Sequence, residues 1–259
     1  MPDLTLEVPQ KIRRGRLRWD EQRSVASGVE LLKLLASSLG HADLANLRVL
    51  DIGCGCKFTQ AILDRGLPVG QYVGVDVYGE MIEFLRSSVS DERFEFHHIN
   101  THNEMYNPDG EELSDATRLP IAENSFDIIC AFSVFTHLAP ADYVAMLKML
   151  RRYIKPDGHL FFTVFINEET AGGFGRVDLF KKAMQKAERS QLEKHKDEFV
   201  KSQREGIPDF VDAIPEQPLR AAIYSRKHAL ELMEDTGWHI DSLNDPLMHI
   251  QHYMICSPA

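Results

Sequence analysis

Between positions 47 and 57 an apolar run passes straight into a glycine-rich turn: Leu47-Arg48-Val49-Leu50-Asp51-Ile52-Gly53-Cys54-Gly55-Cys56-Lys57. Helical spacing follows at once, over roughly Phe58 to Arg65, with Gly66 and Pro68 as its stop. A strand that turns on glycines into a helix commits the chain to an α/β unit. Glycine at such a turn takes up φ > 0 and lets a ligand approach the backbone. The free N–H groups at the helix start suit a carboxylate or phosphate. Two familiar phosphate loops are excluded. The dinucleotide fingerprint needs a third glycine where Phe58 stands, and no G-x-x-x-x-G-K-[ST] occurs.

The alternation continues on both sides of this unit. Ahead of it, Val25, Val29, Leu31, Leu32, Leu34 and Leu35 form an apolar stripe, which predicts an N-terminal helix over Glu21–Leu39 (about residues 20–40) with Gly40 as its stop. After it, Gln71–Asp76 reads as a second strand, Glu80–Ser88 as a helix and Phe94–Ile99 as a third strand. Thr101–Ser114 is polar and holds the turn signal Asn107-Pro108-Asp109-Gly110. Phe126–Phe132 reads as a fourth strand, Ala141–Ile154 as a helix, Lys155–Gly158 as a turn and His159–Phe165 as a fifth strand. Five such alternations call for a mostly parallel sheet covered on both faces, and 259 residues suffice for one such domain, 1–259.

Residues 167–219 break the rhythm. The Lys/Glu-rich stretch Leu179–Gln203 has helical character, and Pro208, Pro215 and Pro218 follow it. This predicts an inserted helical cap with a Pro-rich return. Gly172-Gly173-Phe174-Gly175 is a candidate hinge, and Phe174, Phe180, Phe199 and Phe210 either line a pocket or pack the cap onto the domain. The sheet pattern resumes with a helix over Ser225–Thr236, a stop at Gly237, and strands over His239–Leu243 and His249–Cys256.

Asp76 ends the second strand, 25 residues after Asp51. A carboxylate there accepts from both hydroxyls of a ribose, or else caps the next helix. With the glycine turn it points to a nucleoside-containing cofactor. At this point the sequence resembles the class I S-adenosylmethionine (SAM)-dependent methyltransferases, in particular the small-molecule subset that carries a Ser-Val-Phe-Thr-His-Leu segment like residues 133–138. The resemblance runs from about Leu47 to Phe165 and resumes at Tyr224. It rests on Asp51-x-Gly53-x-Gly55, on Asp115-Ala116-Thr117-Arg118-Leu119-Pro120 followed by Ser125-Phe126-Asp127, and on Ile154-Lys155-Pro156-Asp157-Gly158. It implies a Rossmann-like, seven-stranded, mostly parallel sheet with an antiparallel last strand and helices on both faces.

It also implies SAM as cofactor and S-adenosylhomocysteine (SAH) as product. Gly53, Cys54 and Gly55 would approach the methionine part, with Asp51 beside its ammonium group. Asp76 would take the ribose hydroxyls, Val77 would lie against the adenine, and Asp115 with the N–H of Ala116 would face the adenine edge. Phe132 and Ser133, at the end of the fourth strand, complete the set. The sequence departs from the family at Lys57, where a further glycine is usual; lysine there lets the helix start one residue earlier. It departs again in the polar stretch 101–114. Asp115 has the better spacing to Phe126-Asp127, while a loop wrapped the other way would bring Asn100 to the adenine.

Methyl transfer from a sulfonium needs alignment and the exclusion of water, and a hydroxyl acceptor needs a base as well. His137 lies past the carboxyl end of the fourth strand, where open α/β sheets keep their ligands. It is either that base or a brace for the following helix. Asn103, Tyr106 and Asn107, in an Asn-x-x-Tyr-Asn-Pro-x-Gly stretch that the same subset often shows, either touch the acceptor or form an ordered turn. His249 and His252 are weaker candidates.

The charge balance narrows the partners. With 29 basic and 39 acidic residues the net charge is -10, which argues against nucleic acid. The basic run Lys11–Arg18 is the local exception and reads as a solvated arm. Four cysteines without paired C-x-x-C units, no leader-like start and no run long enough for a bilayer predict a reduced, cytoplasmic chain. Cys54 and Cys56 do not supply the four convergent ligands of a zinc site, so no metal is expected. The resulting reading is a methyltransferase acting on a small molecule, with O-methylation of a hydroxyl in first place. A non-catalytic SAM-binding regulator and an enzyme acting on a macromolecule are the alternatives.

Overall fold

The computed structural model describes residues 6–15, 17–167, 209–214, 217–245 and 251–259. Helix α1 (Glu21–Ser38) is capped by the Asp20 side chain, which accepts from the Arg23 N–H. Strand β1 (Leu44–Ile52) enters the glycine turn, and α2 (Lys57–Arg65) leaves it and ends on Gly66 in the left-handed conformation. The helix does begin at Lys57. Then come β2 (Val69–Asp76), α3 (Gly79–Ser88), β3 (Phe94–His98), β4 (Phe126–Ala131), a 3-10 turn at Phe135–His137, α4 (Pro140–Leu150) and β5 (Ile154–Ile166). Two short strands, β6 (Phe210–Asp212) and β7 (Ala222–Tyr224), precede α5 (Arg226–Glu231), β8 (Trp238–Asn244) and β9 (His252–Pro258).

Strands β3, β2, β1, β4 and β5 lie side by side in that order, all parallel. β9 pairs antiparallel with β5, and β8 pairs antiparallel with β9. These seven strands form the expected mostly parallel sheet with its last strand antiparallel. Helices cover both faces. Val49, Tyr72, Ile128, Cys130 and Phe161 point to the side of α1, α2 and α3, while Leu50, Val73, Ile129, Leu160 and Phe162 point to the side of α4 and α5.

Two expectations need correcting. Ile154 belongs to β5 and not to the preceding helix, and Lys155–Gly158 is a bulge within the strand rather than a free turn. Phe126 pairs with Ile154 and Ile128 with His159, so the extra residues arch out of the ladder. The return from the cap is a hairpin, β6–β7, whose second strand extends the sheet beside Phe165 and Ile166 of β5. Most of the expected cap (168–208 and 215–216) lies outside the described residues, with its hinge at 172–175, Phe174, Phe180 and Phe199. Phe210 is described. Its ring lies 5.2 Å from that of Tyr224, so it packs the hairpin onto the core. Among the described residues no helix is long and apolar enough to cross a membrane.

Candidate functional site

The strand order reverses between β1 and β4. One neighbour set runs outward through β2 and β3, the other through β5, and the connections leave on opposite faces. A crevice therefore opens beyond the carboxyl ends of β1 and β4, where such sheets bind ligands. The glycine turn lies at this edge. Gly53 has φ +66° and Gly55 φ +48°. The N–H groups of Gly53 and Cys54 both donate to the Val75 carbonyl (2.8 and 3.1 Å), which ties the turn down onto β2. The Gly55 N–H donates to Asp76 Oδ2 (2.8 Å), and Asp76 Oδ1 accepts from the Tyr78 N–H (2.9 Å). Asp76 thus holds the turn after β1 and the turn before α3 together. It is nearly buried, and burial pushes its carboxyl above the usual range. A carboxylate has lone pairs beyond these two bonds for further donors. Nothing stands within 4 Å of where a Cβ on Gly55 would project, whereas a Cβ on Gly53 would lie 2.6 Å from Val134 Cγ2. The Cys54 thiol points inward against Gly74, so only backbone of this residue faces the turn.

Asp51 lies beneath the turn and is 2% exposed. It accepts a short hydrogen bond from the Tyr72 hydroxyl on β2, and the Cys130 thiol on β4 donates to its other oxygen at 3.5 Å. Burial pushes its carboxyl up to about 7. The two donors hold the group in place on the α1–α3 side of the sheet. Neither Tyr72 nor Cys130 stood out in the sequence. The period-two pattern puts 51, 72 and 130 on one face, but only the register that aligns Asp51 with Gly74 and Cys130 brings them together.

At the end of β4, Phe132 is half-buried between the rings of Phe58 (5.1 Å, edge-on) and Phe161 (5.0 Å, stacked). Ser133 follows in a left-handed conformation, φ 60°, unusual outside glycine. Its N–H donates to Thr163 Oγ1 (2.7 Å) and its hydroxyl pairs with the Gln251 side chain (2.9 Å to Nε2). This sharp bend directs the chain into the Phe135–His137 turn. Phe135 anchors that turn, its ring 4.2 Å from Phe162 and 4.8 Å from Tyr143. His137 Nδ1 lies 3.0 Å from the Leu219 carbonyl. A carbonyl only accepts, so Nδ1 carries the proton and Nε2 presents its lone pair. Burial pulls the imidazole below its usual range and keeps it neutral near pH 7. The Tyr224 hydroxyl donates to the Leu138 carbonyl (2.5 Å), a second tie between the β6–β7 hairpin and this segment.

The 101–111 loop is an ordered, self-bonded turn. Asn103 Oδ1 accepts from the N–H groups of Met105 and Tyr106 (both 3.1 Å), and Asn107 Nδ2 donates to Asn100 Oδ1 (3.1 Å) and the Thr101 carbonyl (3.0 Å). These bonds make Asn103 and Asn107 part of an ordered turn. Tyr106 differs: its ring leaves the loop and lies 5.9 Å from that of Tyr78, just past Asp76.

The basic run is anchored to the domain at Ile12 and Arg13, while Lys11, Arg14 and Arg18 stay exposed as expected of a solvated arm. Ile12 is buried, Arg13 pairs with Glu21 (2.8 Å), and Arg14 lies 4.4 Å over the Tyr78 ring with its Nη2 2.5 Å from the Tyr78 hydroxyl. The arm reaches the cofactor edge because Leu6, Val8 and Ile12 bury against the helices of that face. Its helical neighbours, and not its charge, decide its place.

Asp115 and Ala116 do not reach this edge. The Asp115 carbonyl accepts from Arg152 Nη2 (3.2 Å), which follows the carboxyl end of α4. α4 starts near the ligand edge and runs back along the sheet for eleven residues, about 16 Å, so Arg152 marks the opposite rim. Both residues are exposed there. Asn100 is the residue at the ligand edge: it follows β3 directly, after the Ile99 N–H has donated to the Asp76 carbonyl (3.1 Å). Val77 also stays at the edge, its carbonyl 3.1 Å from His98 Nε2. His249 lies outside the described residues, and His252 is buried, its Nε2 3.8 Å from Asp245. Among the described residues no three of His, Cys, Asp or Glu are grouped to hold a metal.

Comparison with known proteins agrees with this geometry. A family described as "Methyltransferase domain" matches residues 50–162. The ubiquinone biosynthesis O-methyltransferase of Neisseria meningitidis is 28% identical over 130 residues, 48% of this chain and 46% of that protein. The chain spans less than half the length of the curated relatives it matches first. Among solved structures, a SAM-dependent methyltransferase from Aquifex aeolicus has a TM-score of 0.52 at 16% identity, over 93% of this chain and 99% of that one. The SAH-bound form of CalO1, a methyltransferase in calicheamicin biosynthesis, has a TM-score of 0.56 at 14% identity, over 93% of this chain and 57% of that one. At these identities the structures speak for the fold. Together with the family match, they make residues 50–162 a class I, Rossmann-like methyltransferase domain of the type 11 family.

Proposed function

We propose that this protein is a SAM-dependent methyltransferase that acts on the oxygen of a small-molecule acceptor. The observation that carries the donor half is the joint at Gly55 and Asp76: a left-handed glycine with open space above it, bonded to an acid that ends the next strand. This fits the cofactor. Gly53 and Gly55 let the methionine part lie on the backbone, Asp76 has lone pairs left for the ribose hydroxyls, and Val77 and Asn100 flank the adenine side. Asp51, held by Tyr72 and Cys130, supports the turn from below and stands nearest to where an ammonium group would bind. When bound, SAM supplies an electrophilic methyl group on a sulfonium.

The chain's own part is to align the acceptor and accept its proton. His137 does the second. With Nδ1–H fixed on Leu219, its Nε2 takes the proton of an acceptor hydroxyl as the oxygen's new bond forms. Ser133 sets the bend that brings His137 to the edge, and Phe132 closes the α2 side against water. The O-methyltransferases among the distant relatives support oxygen as the atom attacked.

The test has two steps. Calorimetric titration with SAH reports the donor site. Transfer of labelled methyl from SAM across a panel of hydroxylated small molecules reports catalysis. Binding without transfer to any member would favour a regulatory SAM-binding protein. No binding would refute the proposal at its root.

A further inference from the structure

His137 is oriented by a carbonyl 82 residues away, and that carbonyl belongs to a strained turn. Among the described residues four besides glycine have a left-handed backbone: Asn124, Ser133, Leu219 and Asp235. Asparagine and aspartate tolerate that conformation, serine does so less readily, and leucine is an outlier there. The two less tolerant residues both bear on His137. Ser133 makes the bend ahead of it, and Leu219 accepts its Nδ1 proton. A strained backbone persists only where the surrounding structure holds it.

The strain at Leu219 follows from its turn. Gln217, Pro218, Leu219 and Arg220 form a β-turn closed by the Arg220 N–H on the Gln217 carbonyl (3.0 Å). Proline suits the second position because its ring fixes φ there. The third position has φ 55°, where such turns favour glycine or asparagine, and leucine stands in it. Asp212 of β6 holds it. Its Oδ2 accepts from the Leu219 N–H at 2.8 Å, and its Oδ1 accepts from the Ile214 N–H at 3.4 Å. The Ile214 bond is the local kind that aspartate makes at many turns. The Leu219 bond spans seven residues and crosses the hairpin loop. The hairpin does not need Asp212 to close, because the Ala213 N–H donates to the Ala221 carbonyl (3.0 Å). Asp212 and Leu219 are half-buried, whereas Gln217, Pro218 and Arg220 are exposed. The carbonyl beside the imidazole is therefore fixed from inside the hairpin.

We infer that Asp212 is a positioning residue for His137: by holding the Leu219 N–H it fixes the Leu219 carbonyl, which keeps a proton on Nδ1 and leaves the Nε2 lone pair for the acceptor. This rests on His137 as the base proposed above. The link through one peptide unit sets the tautomer without placing a negative charge against the ring. When Nε2 takes the acceptor's proton, the ring becomes a cation with N–H at both nitrogens, and the Leu219 carbonyl remains its acceptor at Nδ1.

Long-range proton–nitrogen NMR on the isotope-labelled full chain reads which ring nitrogen carries the proton. His137→Asn identifies the His137 signals among the eleven histidines. The wild type should carry the proton on Nδ1 at neutral pH. Asp212→Ala should move the tautomer ratio about five-fold toward Nε2–H, the equivalent of one net hydrogen bond. Asp212→Asn keeps an accepting oxygen and should stay within about two-fold of the wild type. Asp212→Ser is one bond too short to reach Leu219 and should follow the alanine, so it reads the tie even where Asp212→Ala does not fold. Thermal melts show which variants are folded. A proton on Nε2 in the wild type, a wild-type ratio in the alanine or serine variant, or a shift in Asp212→Asn as large as theirs overturns the inference. On an acceptor supplied by the labelled screen, Asp212→Ala should lower kcat with KM and SAH affinity unchanged. A shifted tautomer with an unchanged kcat refutes His137 as the base and leaves the tie standing. An unmoved tautomer beside an inactive His137→Ala refutes the tie alone.

Discussion

Gly53 and Gly55 are two residues apart in one turn, yet alanine at each should fail for a different reason. At Gly53 the backbone has φ +66° and an added Cβ lies 2.6 Å from Val134 Cγ2. A left-handed alanine costs roughly 1–2 kcal/mol, and a forced overlap in packed surroundings about 1–3 kcal/mol more. Gly53→Ala should therefore lose about 2–5 kcal/mol, a large share of the 5–15 kcal/mol that typically holds a domain together. Gly55 has φ +48° with nothing near its Cβ position, so Gly55→Ala should lose only about 1–2 kcal/mol. Its methyl group instead projects into the space assigned to the cofactor. Urea denaturation measures the first effect and SAH calorimetry the second. Gly55→Ala should weaken SAH by about ten-fold or more. Val134→Ala, introduced into Gly53→Ala, should recover at least about 1 kcal/mol through coupling between the two sites. The reasoning is refuted if Gly53→Ala is no less stable than Gly55→Ala, or if Gly55→Ala binds SAH like the wild type.

Three further outcomes are expected. Asp51 keeps its proton up to about pH 7 in the fold, whereas the unfolded chain releases it near 3.8, so this residue's contribution to stability declines as pH rises between those values, by up to about 4 kcal/mol; Asp51→Asn should flatten that decline, and a urea midpoint shifted equally at pH 5 and pH 8 would contradict it. His137→Ala should lower kcat by roughly 10²–10⁴-fold on any hydroxyl acceptor that the labelled screen identifies, leaving SAH affinity in place; because the imidazole titrates below its usual range, the wild-type rate should hold to lower pH than an exposed histidine would allow. Asp115→Ala should leave SAH affinity within about two-fold, while Asn100→Ala weakens it more; the reverse order would restore Asp115 to the adenine.

Local chemistry made most of the scaffold legible. Periodicity and glycine punctuation gave the five strand–helix alternations, and the turn at 53–55 together with Asp76 marked the edge where a nucleoside belongs. Asp76 illustrates the limit: its two expected roles, ribose acceptor or cap, were stated as alternatives, yet the structure has it bonding both turns while lone pairs remain. Asp115 fails for a related reason. Spacing along the chain favoured it, but the 101–111 loop folds on itself, and the next residues run to the far rim of the sheet. Lys155–Gly158 looked like a turn because proline and glycine mark turns, although a bulge uses the same residues without leaving the strand.

The sequence by itself determined the class of fold and the donor edge, because a strand, a glycine turn and an acid ending the next strand are short-range features that local sterics enforce. Tertiary structure decided everything that depends on which distant segments meet. It put Tyr72 and Cys130 on Asp51 through strand register, turned His137 Nδ1 toward Leu219 from 82 residues away, and brought Arg14 onto Tyr78 by burying Ile12. No local pattern encodes such meetings, since each is set by the packing of a whole face and not by the residues that meet.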